Sequence, residues 1–407
     1  MLFSVVNMSL PQKIVSLFVI SLVVSVASSE VKEKPLSEYI DRFTLLTGDA
    51  LLQNANDSNV VFSPLNIYHA FSLLHLGSNQ KTREELSSIF GFPENPENDT
   101  NFHAQLNQTL HSLQNLKDVT LAAAVGVFAR KDLKLKPLFL ERVKSFYNAD
   151  VQNVDFSNTS TTQYINSWIS QSTKDHIKDY FTESINPATQ LQLISALYFG
   201  ANWKFGFGKT NTQKEDFHTG YSLLKVEMMS EMSRLDYGDD PKYPFRILGL
   251  PYKNEDLYLY IQLPREDPKS ANFANNFSAI YLTSLEAVET LKSNLVHVKL
   301  PRFSINSKIS LENVLKKFGS TQILEAPQLS GMFDEKVDKL EVNHGVHIDV
   351  DETGTEAAAV SSISLMPLSA SIPEIPKEFF VNKPFTFFIY SKSLKTIIFA
   401  GAISRVE

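Results

Sequence analysis

The 407-residue chain contains no cysteine, and this absence limits both its architecture and its chemistry. Disulfide bonds, cysteine-ligated zinc and thiol catalysis are all excluded. Stability must therefore come from a large buried core, which a chain of this length can build. A hydrophobic content of 43% with 20% charged residues is unlike that of a disordered chain. The net charge of −7 argues against a nucleic-acid scaffold, since phosphate contacts need a basic face.

The first thirty residues have the order of a secretory signal. Lys13 precedes an apolar stretch from Ile14 to Val26, and the small residues Ala27, Ser28 and Ser29 follow. The apolar stretch is shorter than the about 20 residues that a membrane-spanning helix needs, so an anchor is disfavoured, and no later apolar run is long enough to span a bilayer. We predict a signal peptide at 1–29, a linker at 30–36 and a secreted, extracellular protein.

Asparagine sequons fit a secretory route, because they mark acceptor sites for N-linked glycan. Five of them fall in the mature chain, at Asn56, Asn98, Asn107, Asn158 and Asn276. Such triplets also arise by chance, so we expect roughly half of them to carry glycan.

Helical and strand patterns are mixed along the mature chain without regular alternation. Apolar spacing predicts helices at 37–53, 65–76, 81–90, 138–147 and 161–180, a polar loop at 94–101, and a lone later helix at 311–318. Strand patterns fall at 121–130, 191–199, 257–263, 295–300, 345–350 and 396–403. Residues 191–199 are almost continuously apolar, as in a strand covered on both faces. The mixture predicts an α+β fold in one large domain, residues 37–407.

Enzyme motifs are absent or incomplete in the sequence. There is no Gly-x-Ser-x-Gly elbow and no His-Glu-x-x-His motif. Gly208-Lys209-Thr210 matches the end of a phosphate-binding loop, but Trp203 occupies the position of its first glycine and is too bulky there. We therefore predict no catalytic residue and no cofactor.

Two histidines and two aspartates lie on or beside one predicted strand: His344, His347, Asp349 and Asp351. Positions 347, 349 and 351 share a strand face, where an imidazole and two carboxylates could meet a metal ion. A strand end with a solvated acidic edge explains the same residues, and we favour that interpretation. No metal site is predicted.

A basic cluster is formed by Arg130, Lys131, Lys134 and Lys136. It is a candidate surface for a polyanion such as a sulfated glycan. A solvated turn is the more common explanation of such a run.

Residues 353–376 do not have the composition of a folded core. No Lys or Arg occurs between Lys339 and Lys377, and loops longer than about 12–15 residues are usually functional. Read as a strand, one face carries only uncharged residues, namely Thr355, Ala357, Ala359, Ser361, Ile363 and Leu365. Pro367 is the first residue of the run that cannot donate a backbone hydrogen bond. The segment is compatible both with an exposed loop and with a central strand, which indicates a switch.

The stretch DETGTEAAAV (351–360) resembles the hinge of the reactive loop in inhibitory serpins. Further serpin-like stretches follow in the family's order from about Ser37 to Ile403: NVVFSPLNIYHAFSLLHLGS (59–78), ISALYFGANWKFGF (194–207), LPRFSINSKISLENVLKKFG (300–319), LSGMF (329–333), FFVNKPFTFFI (379–389) and IIFAGAI (397–403). The resemblance implies the serpin fold, with a helical cluster, a large central β-sheet, smaller sheets and an exposed reactive loop at about 352–378.

The resemblance also implies a suicide inhibitor of serine proteases. A protease attacks the loop, forms an acyl-enzyme and is trapped when the loop inserts into the central sheet. The implied hinge residues are Glu352, Gly354, Thr355, Glu356, Ala357, Ala358 and Ala359. The partner would be an extracellular serine protease, bound by a monomeric inhibitor.

The family's hinge-to-bond length, counted from Glu352, places the reactive bond at Leu368–Ser369. A leucine there fits the apolar primary pocket of chymotrypsin-like or elastase-like proteases. Bonds at Met366 or Ile372 remain alternatives. A non-inhibitory carrier or storage protein with the same fold is the second hypothesis, which the small hinge residues disfavour.

The resemblance further implies a region where the sheet opens, formed by Ser63, Asn66, Ser195, Trp203 and His344. Asn66 stands where the family usually has serine, and Ser195 stands where it usually has asparagine. We therefore expect polar partners at these positions with a different arrangement of hydrogen bonds.

Overall fold

Two β-sheets and a set of helices make up the structure, a computed structural model that describes residues 35–52, 58–93, 99–147, 149–219, 221–265, 277–320, 322–355 and 374–406. Several predictions concern residues outside these ranges: the signal peptide, the sequons Asn56, Asn98 and Asn276, the later hinge residues Glu356, Ala357, Ala358 and Ala359, and the bond Leu368–Ser369.

Eight helices lie in the described ranges: α1 (Leu36–Leu52), α2 (Pro64–Gly77), α3 (Gln80–Phe90), α4 (Asp99–Gln114), α5 (Pro137–Phe146), α6 (Ser160–Ser172), α7 (Phe277–Val288) and α8 (Glu312–Lys317). Helix α2 begins where the Ser63 hydroxyl accepts the N–H of Asn66 and Pro64 supplies a preset φ. Every residue of α2 is buried, so the helix lies inside the protein and shows no polar stripe.

Fourteen strands are described: β1 (Val60–Phe62), β2 (Val119–Arg130), β3 (Asp150–Val154), β4 (Leu191–Ala201), β5 (Gln213–His218), β6 (Leu223–Gly238), β7 (Phe245–Pro251), β8 (Leu257–Pro264), β9 (Lys292–Pro301), β10 (Phe303–Ser310), β11 (Leu340–Val350), β12 (Lys377–Phe380), β13 (Phe385–Ser391) and β14 (Thr396–Ile403). Nine of them form one sheet, and the other five form a second sheet in the order β10-β11-β4-β2-β3. The observed architecture confirms the predicted α+β class.

The five-stranded sheet has a parallel pair at its centre. Strand β4 pairs in parallel with β11, from Leu191 opposite Leu340 to Phe199 opposite Ile348, and antiparallel with β2. All eleven residues of β4 are buried, as expected for an apolar strand covered on both faces. Helix α2 contacts β4, and the rings of Phe199 and Phe399 meet at 5.8 Å between the two sheets.

Three expectations about helices are wrong. The helix predicted at 161–180 ends at Ser172, because Lys174 and Asp175 adopt positive φ values of 51° and 63° that stop helical hydrogen bonding. Helix α4 starts at Asp99, inside the predicted loop 94–101. Helix α7 shows that 311–318 is not the only helix of the later half. No helix in the described ranges is long and apolar enough to cross a membrane.

Candidate functional site at the seam between two parallel strands

The paired residues of β4 and β11, 191–199 and 340–348, form what we call the seam. Strand β11 ends at Val350 and leads directly into residues 351–355, which precede the undescribed part of the loop. Because β4 and β11 run in the same direction, a chain that reverses after Val350 would run antiparallel to both. A strand entering the seam could therefore form antiparallel ladders on each side.

Residues 351–355, the hinge turn, reverse the chain at the end of β11. One carboxylate oxygen of Asp351 accepts the N–H groups of Thr353 at 2.7 Å and Gly354 at 3.1 Å. The Asp351 N–H in turn donates to the Gly354 carbonyl at 2.9 Å. Gly354 has a φ of +154°, and a Cβ there would lie 2.1 Å from the Ala201 carbonyl oxygen. Only glycine allows this close approach between the hinge turn and β4.

Main-chain hydrogen bonds hold the hinge turn against the end of β4. Trp203 donates its N–H to the Thr353 carbonyl at 2.9 Å, and Phe207 donates to the Glu352 carbonyl at 2.8 Å. The indole N–H of Trp203 donates to the Asp351 carbonyl at 3.0 Å. The Glu352 carboxylate, 7% exposed as a residue, accepts the Thr212 hydroxyl at 2.7 Å.

Thr355 is the last described residue before the loop, and it is fully buried. Its N–H donates to the Ala201 carbonyl at 2.6 Å, and its hydroxyl lies 2.9 Å from the Tyr252 hydroxyl. Tyr252 is itself fixed by stacking on Trp203, with ring centroids 4.6 Å apart. The described chain therefore ends at Thr355 beside the end of β4, next to the seam.

A buried polar network spans the seam on the face covered by α2. His344 and Ser195 are register partners, and His344 Nδ1 lies 2.8 Å from the Ser195 hydroxyl. The Ser63 N–H donates to His344 Nε2 at 2.9 Å, which assigns the ring proton to Nδ1 and makes it the donor to Ser195. Burial lowers the pKa of His344 to about 3, so the imidazole is neutral.

Asn66 and Ser195, for which the resemblance implied the opposite residue types, are in contact. Asn66 Nδ2 donates to the Ser195 hydroxyl at 3.0 Å and to the Ala196 carbonyl at 3.0 Å. The Ser63 hydroxyl donates to the Ile398 carbonyl at 2.7 Å. The Asn66 amide thus bonds α2 to β4. Together with Ser63, just before α2, the network connects α2 with β4, β11 and β14.

The opposite face of the seam is covered by residues 173–190, which we call the connector. The Tyr180 hydroxyl donates to the His344 carbonyl at 3.1 Å, and a Cβ at Gly345 would lie 2.7 Å from the Tyr180 ring. His176 stacks on Tyr198 of β4 at a centroid distance of 3.5 Å. Sequence reasoning missed this cover, because a long-range contact made by a connecting segment leaves no local pattern.

Other candidate residues lie away from the seam. In the basic cluster, Arg130 pairs with Asp132 at 2.5 Å, Lys131 with Asp155 at 2.6 Å, and Lys136 with Asp334 at 2.6 Å. Carboxylates therefore offset much of the charge that a polyanion would meet. Gly208-Lys209-Thr210 runs into a short 3₁₀ turn, not into a helix that could hold phosphate. Among the described sequons, Asn158 is exposed and Asn107 is half-buried.

The fold is an α+β fold in which an inner strand of a five-stranded sheet leads, through the hinge turn, to residues 356–373, which lie outside the described ranges. Comparison with protein families matches residues 38–406 to one model, described as serpin (serine protease inhibitor). The chain therefore belongs to the serpin family, whose members are generally protease inhibitors rather than enzymes.

Individual relatives agree with this assignment. The chain is 33% identical to a leukocyte elastase inhibitor of Xenopus tropicalis, over 86% of this chain and 94% of the relative. It is 30% identical to an uncharacterized serpin-like protein of Methanosarcina acetivorans, over 90% and 86% of the two chains.

Solved structures show the same fold. The crystal structure of Serpin48 from the insect Tenebrio molitor matches with a TM-score of 0.80 at 26% identity, covering 93% of this chain and all of that one. Human thyroxine-binding globulin matches with a TM-score of 0.82 at 24% identity, over 91% and 98% of the chains. At that identity the second match speaks for the fold alone.

Proposed function

We propose that this serpin is a secreted suicide inhibitor that traps chymotrypsin-like or elastase-like serine proteases as an acyl complex. The observation that carries the proposal is the position of Thr355, which lies buried at the end of β4 with its N–H on the Ala201 carbonyl. A loop that starts at this point can enter the seam without first crossing the surface of the protein.

The covalent step uses the nucleophile of the protease. Its serine oxygen attacks the carbonyl carbon of Leu368, the amide bond to Ser369 breaks, and the new amino group of Ser369 leaves with the proton from that serine. The Leu368 acyl group then stays on the protease. The lack of Lys and Arg between Lys339 and Lys377 supports an apolar primary pocket, because no basic side chain is offered to a charged one.

Insertion of the loop supplies the trapping force. From Glu352 to Leu368, an extended chain spans about 55 Å, at roughly 3.3 Å per residue, and would carry the acylated protease along the seam. Insertion breaks the one ladder between β4 and β11 and forms two new ones, so on balance one set of ladder bonds is gained, worth about 0.5–1.5 kcal/mol per bond. The exposed-loop state then has a higher free energy than the inserted state. Cleavage frees the loop to insert, so it should raise the melting temperature.

The hinge turn also bears on the alternative, a non-inhibitory carrier or storage protein. Such a role does not require the loop to enter a sheet, so bulky or charged hinge residues would be tolerated. Gly354 and Thr355 instead fit closely against Ala201 and Tyr252. Secretion and glycosylation are supported by the signal-like first 29 residues and by the exposed Asn158.

The test is incubation with chymotrypsin and with elastase, followed by electrophoresis in SDS. We expect a complex that survives denaturation, and a cleaved protein that melts at a higher temperature than the intact one. In Thr355→Arg, an unpaired guanidinium would have to be buried, so this variant should be cut without forming the complex. Thr159→Arg, which places the same group on an exposed residue, should inhibit like the wild type. Cleavage of the wild type without a stable complex would refute the proposal.

A further inference from the structure

We propose that His176, His347 and Asp349 form a binding site for Zn²⁺ that joins the connector to β11 over the seam. Two imidazoles and a carboxylate are a ligand set that zinc prefers, with a fourth position left for water. The three side chains come from two separate segments, and β11 contributes two of them from one strand face.

The geometry of the three residues suits a single ion. Their ligand atoms all lie within 4.8 Å of one another. His347 Nε2 is 2.7 Å from a carboxylate oxygen of Asp349, and the rings of His176 and His347 are 5.5 Å apart. Donors around a tetrahedral zinc ion are about 3.3 Å apart, so the three side chains would shift slightly to meet one ion. The Asp349 side chain is 37% exposed, which leaves a path for the ion from solvent.

Asn306 orients His347 for this role. It is the register partner of His347 on β10, and its Oδ1 lies 2.7 Å from His347 Nδ1. Nε2 faces the Asp349 carboxylate at 2.7 Å, where the two side chains share a hydrogen bond. A Zn²⁺ ion would take the place of the proton in that bond, while the Nδ1 proton stays directed at Asn306. Histidines that bind metals commonly donate their other N–H to an oxygen in this way.

A second histidine cluster shows why this one is preferred. His75, Asp99 and His103 also bring their ligand atoms together, and all three residues are buried. There, however, Arg83 lies 2.5 Å from one Asp99 oxygen and Arg142 lies 3.9 Å from the other. Those guanidinium groups already neutralise the carboxylate and repel a divalent cation.

The position of the site adds a consequence that rests on the proposed function. His347 and Tyr198 face each other directly across the seam, and His176 stacks on Tyr198 while lying beside His347. An ion bound here would tie the connector to β11 while His176 rests on β4. Separation of β4 from β11 would then strain or break the site, so zinc should slow loop insertion.

The site is tested by titrating the full-length protein with ZnCl₂ at pH 7 in an isothermal calorimeter. We expect one equivalent to bind with micromolar affinity or better, and His176→Ala and Asp349→Asn each to weaken binding at least tenfold. Exposed His111→Ala should leave it unchanged. Cobalt titrated in place of zinc should give the visible absorption of a tetrahedral ion. The two variants keep the proposal testable if one of them fails to fold.

Wild-type affinity in both variants, or no uptake of zinc by the wild type, would overturn the site. Zinc binding that is lost in His103→Ala and kept in His176→Ala would place the ion in the other cluster and overturn it as well. The consequence is tested separately, by the rate of SDS-stable complex formation with and without zinc. An equal rate would show that zinc does not slow loop insertion, without affecting the evidence for the zinc site. Failure to form any complex would count against the proposed function alone.

Discussion

His344 on β11 and Ser195 on β4 face each other across the seam and share a hydrogen bond of 2.8 Å. This side-chain bond joins two strands that must separate if the loop is to enter the sheet. Its strength, and that of the Asn66 contacts beside it, should therefore set how readily the seam opens.

Asn66 and Ser195 should be energetically coupled, because the Asn66 amide donates to the buried Ser195 hydroxyl. We expect Asn66→Ser and Ser195→Asn each to destabilise the protein by about 1–3 kcal/mol, because each leaves a buried polar group without its partner. The double variant, which restores the pairing in the opposite direction, should recover at least about 0.5 kcal/mol relative to additivity. Urea unfolding of all four proteins measures this coupling, and strictly additive effects would contradict it.

Gly354→Ala should displace the hinge turn from β4. The added Cβ would meet the Ala201 carbonyl oxygen at 2.1 Å, so Thr355 could not keep its buried position. We expect insertion to begin more slowly and the stoichiometry of inhibition to rise several-fold, as more inhibitor is consumed as substrate. Gly319→Ala is the matched control, because Gly319 also has a positive φ, of 74°, but no atom lies within 4 Å of its Cβ position. Equal stoichiometries in the two variants would show that contact with Ala201 is irrelevant.

Stability should fall as the pH drops below about 6.5, the ordinary pKa of histidine. Burial lowers the pKa of His344 to about 3, and it lowers those of His69, His75 and His103 to about 3, 2 and 3. Between pH 6.5 and these values, the unfolded chain binds protons that the folded chain does not, so folding is disfavoured as the pH falls.

Each of these histidines should contribute about 1.4 kcal/mol per pH unit in that window. Urea unfolding at pH 7, 6 and 5 measures the slope, and His344→Gln should reduce it by about one such contribution. Exposed His111→Gln should keep the wild-type slope. An unchanged slope in His344→Gln would mean that His344 does not carry the assigned share.

Leu368→Arg should redirect the inhibitor towards trypsin-like proteases, because their charged primary pocket selects a basic side chain. Inhibition of chymotrypsin should fall by at least about 100-fold, and mass spectrometry of the released peptide should show cleavage after position 368. Met366→Arg is the comparison variant. If it gains trypsin inhibition and Leu368→Arg does not, the reactive bond lies at position 366.

Sequence patterns predicted helices and strands best where the signal lies within the element itself. The apolar run at 191–199 predicted a strand covered on both faces, and the helix predicted at 81–90 ends at Phe90, where Gly91 adopts the left-handed conformation. Helix α4 did leave a signal, because His103, Leu106, Leu110 and Leu113 are buried at helical spacing. The end of α6 left no such signal in the sequence, because Lys174 and Asp175 adopt positive φ values although neither is a glycine.

The polar network at the seam contains four of the five residues named for the sheet-opening region, whereas Trp203 lies at the hinge turn. The resemblance named Ser63, Asn66, Ser195, Trp203 and His344, whereas the direction of each hydrogen bond in the network depends on how α2 lies over the seam. His176 and Tyr180 of the connector contact His347 and His344 of β11, which lie more than 160 positions later in the chain. No local sequence pattern encodes such contacts.

The hinge turn is held chiefly through the main chain, by the N–H groups of Trp203, Phe207 and Thr355. Such bonds do not depend on which side chains the more distant part of the loop carries. The sequence of the loop can thus change without altering the contacts between the hinge turn and β4. Under the proposed function, a few substitutions in the loop would therefore change which protease is recognised while the scaffold stays the same.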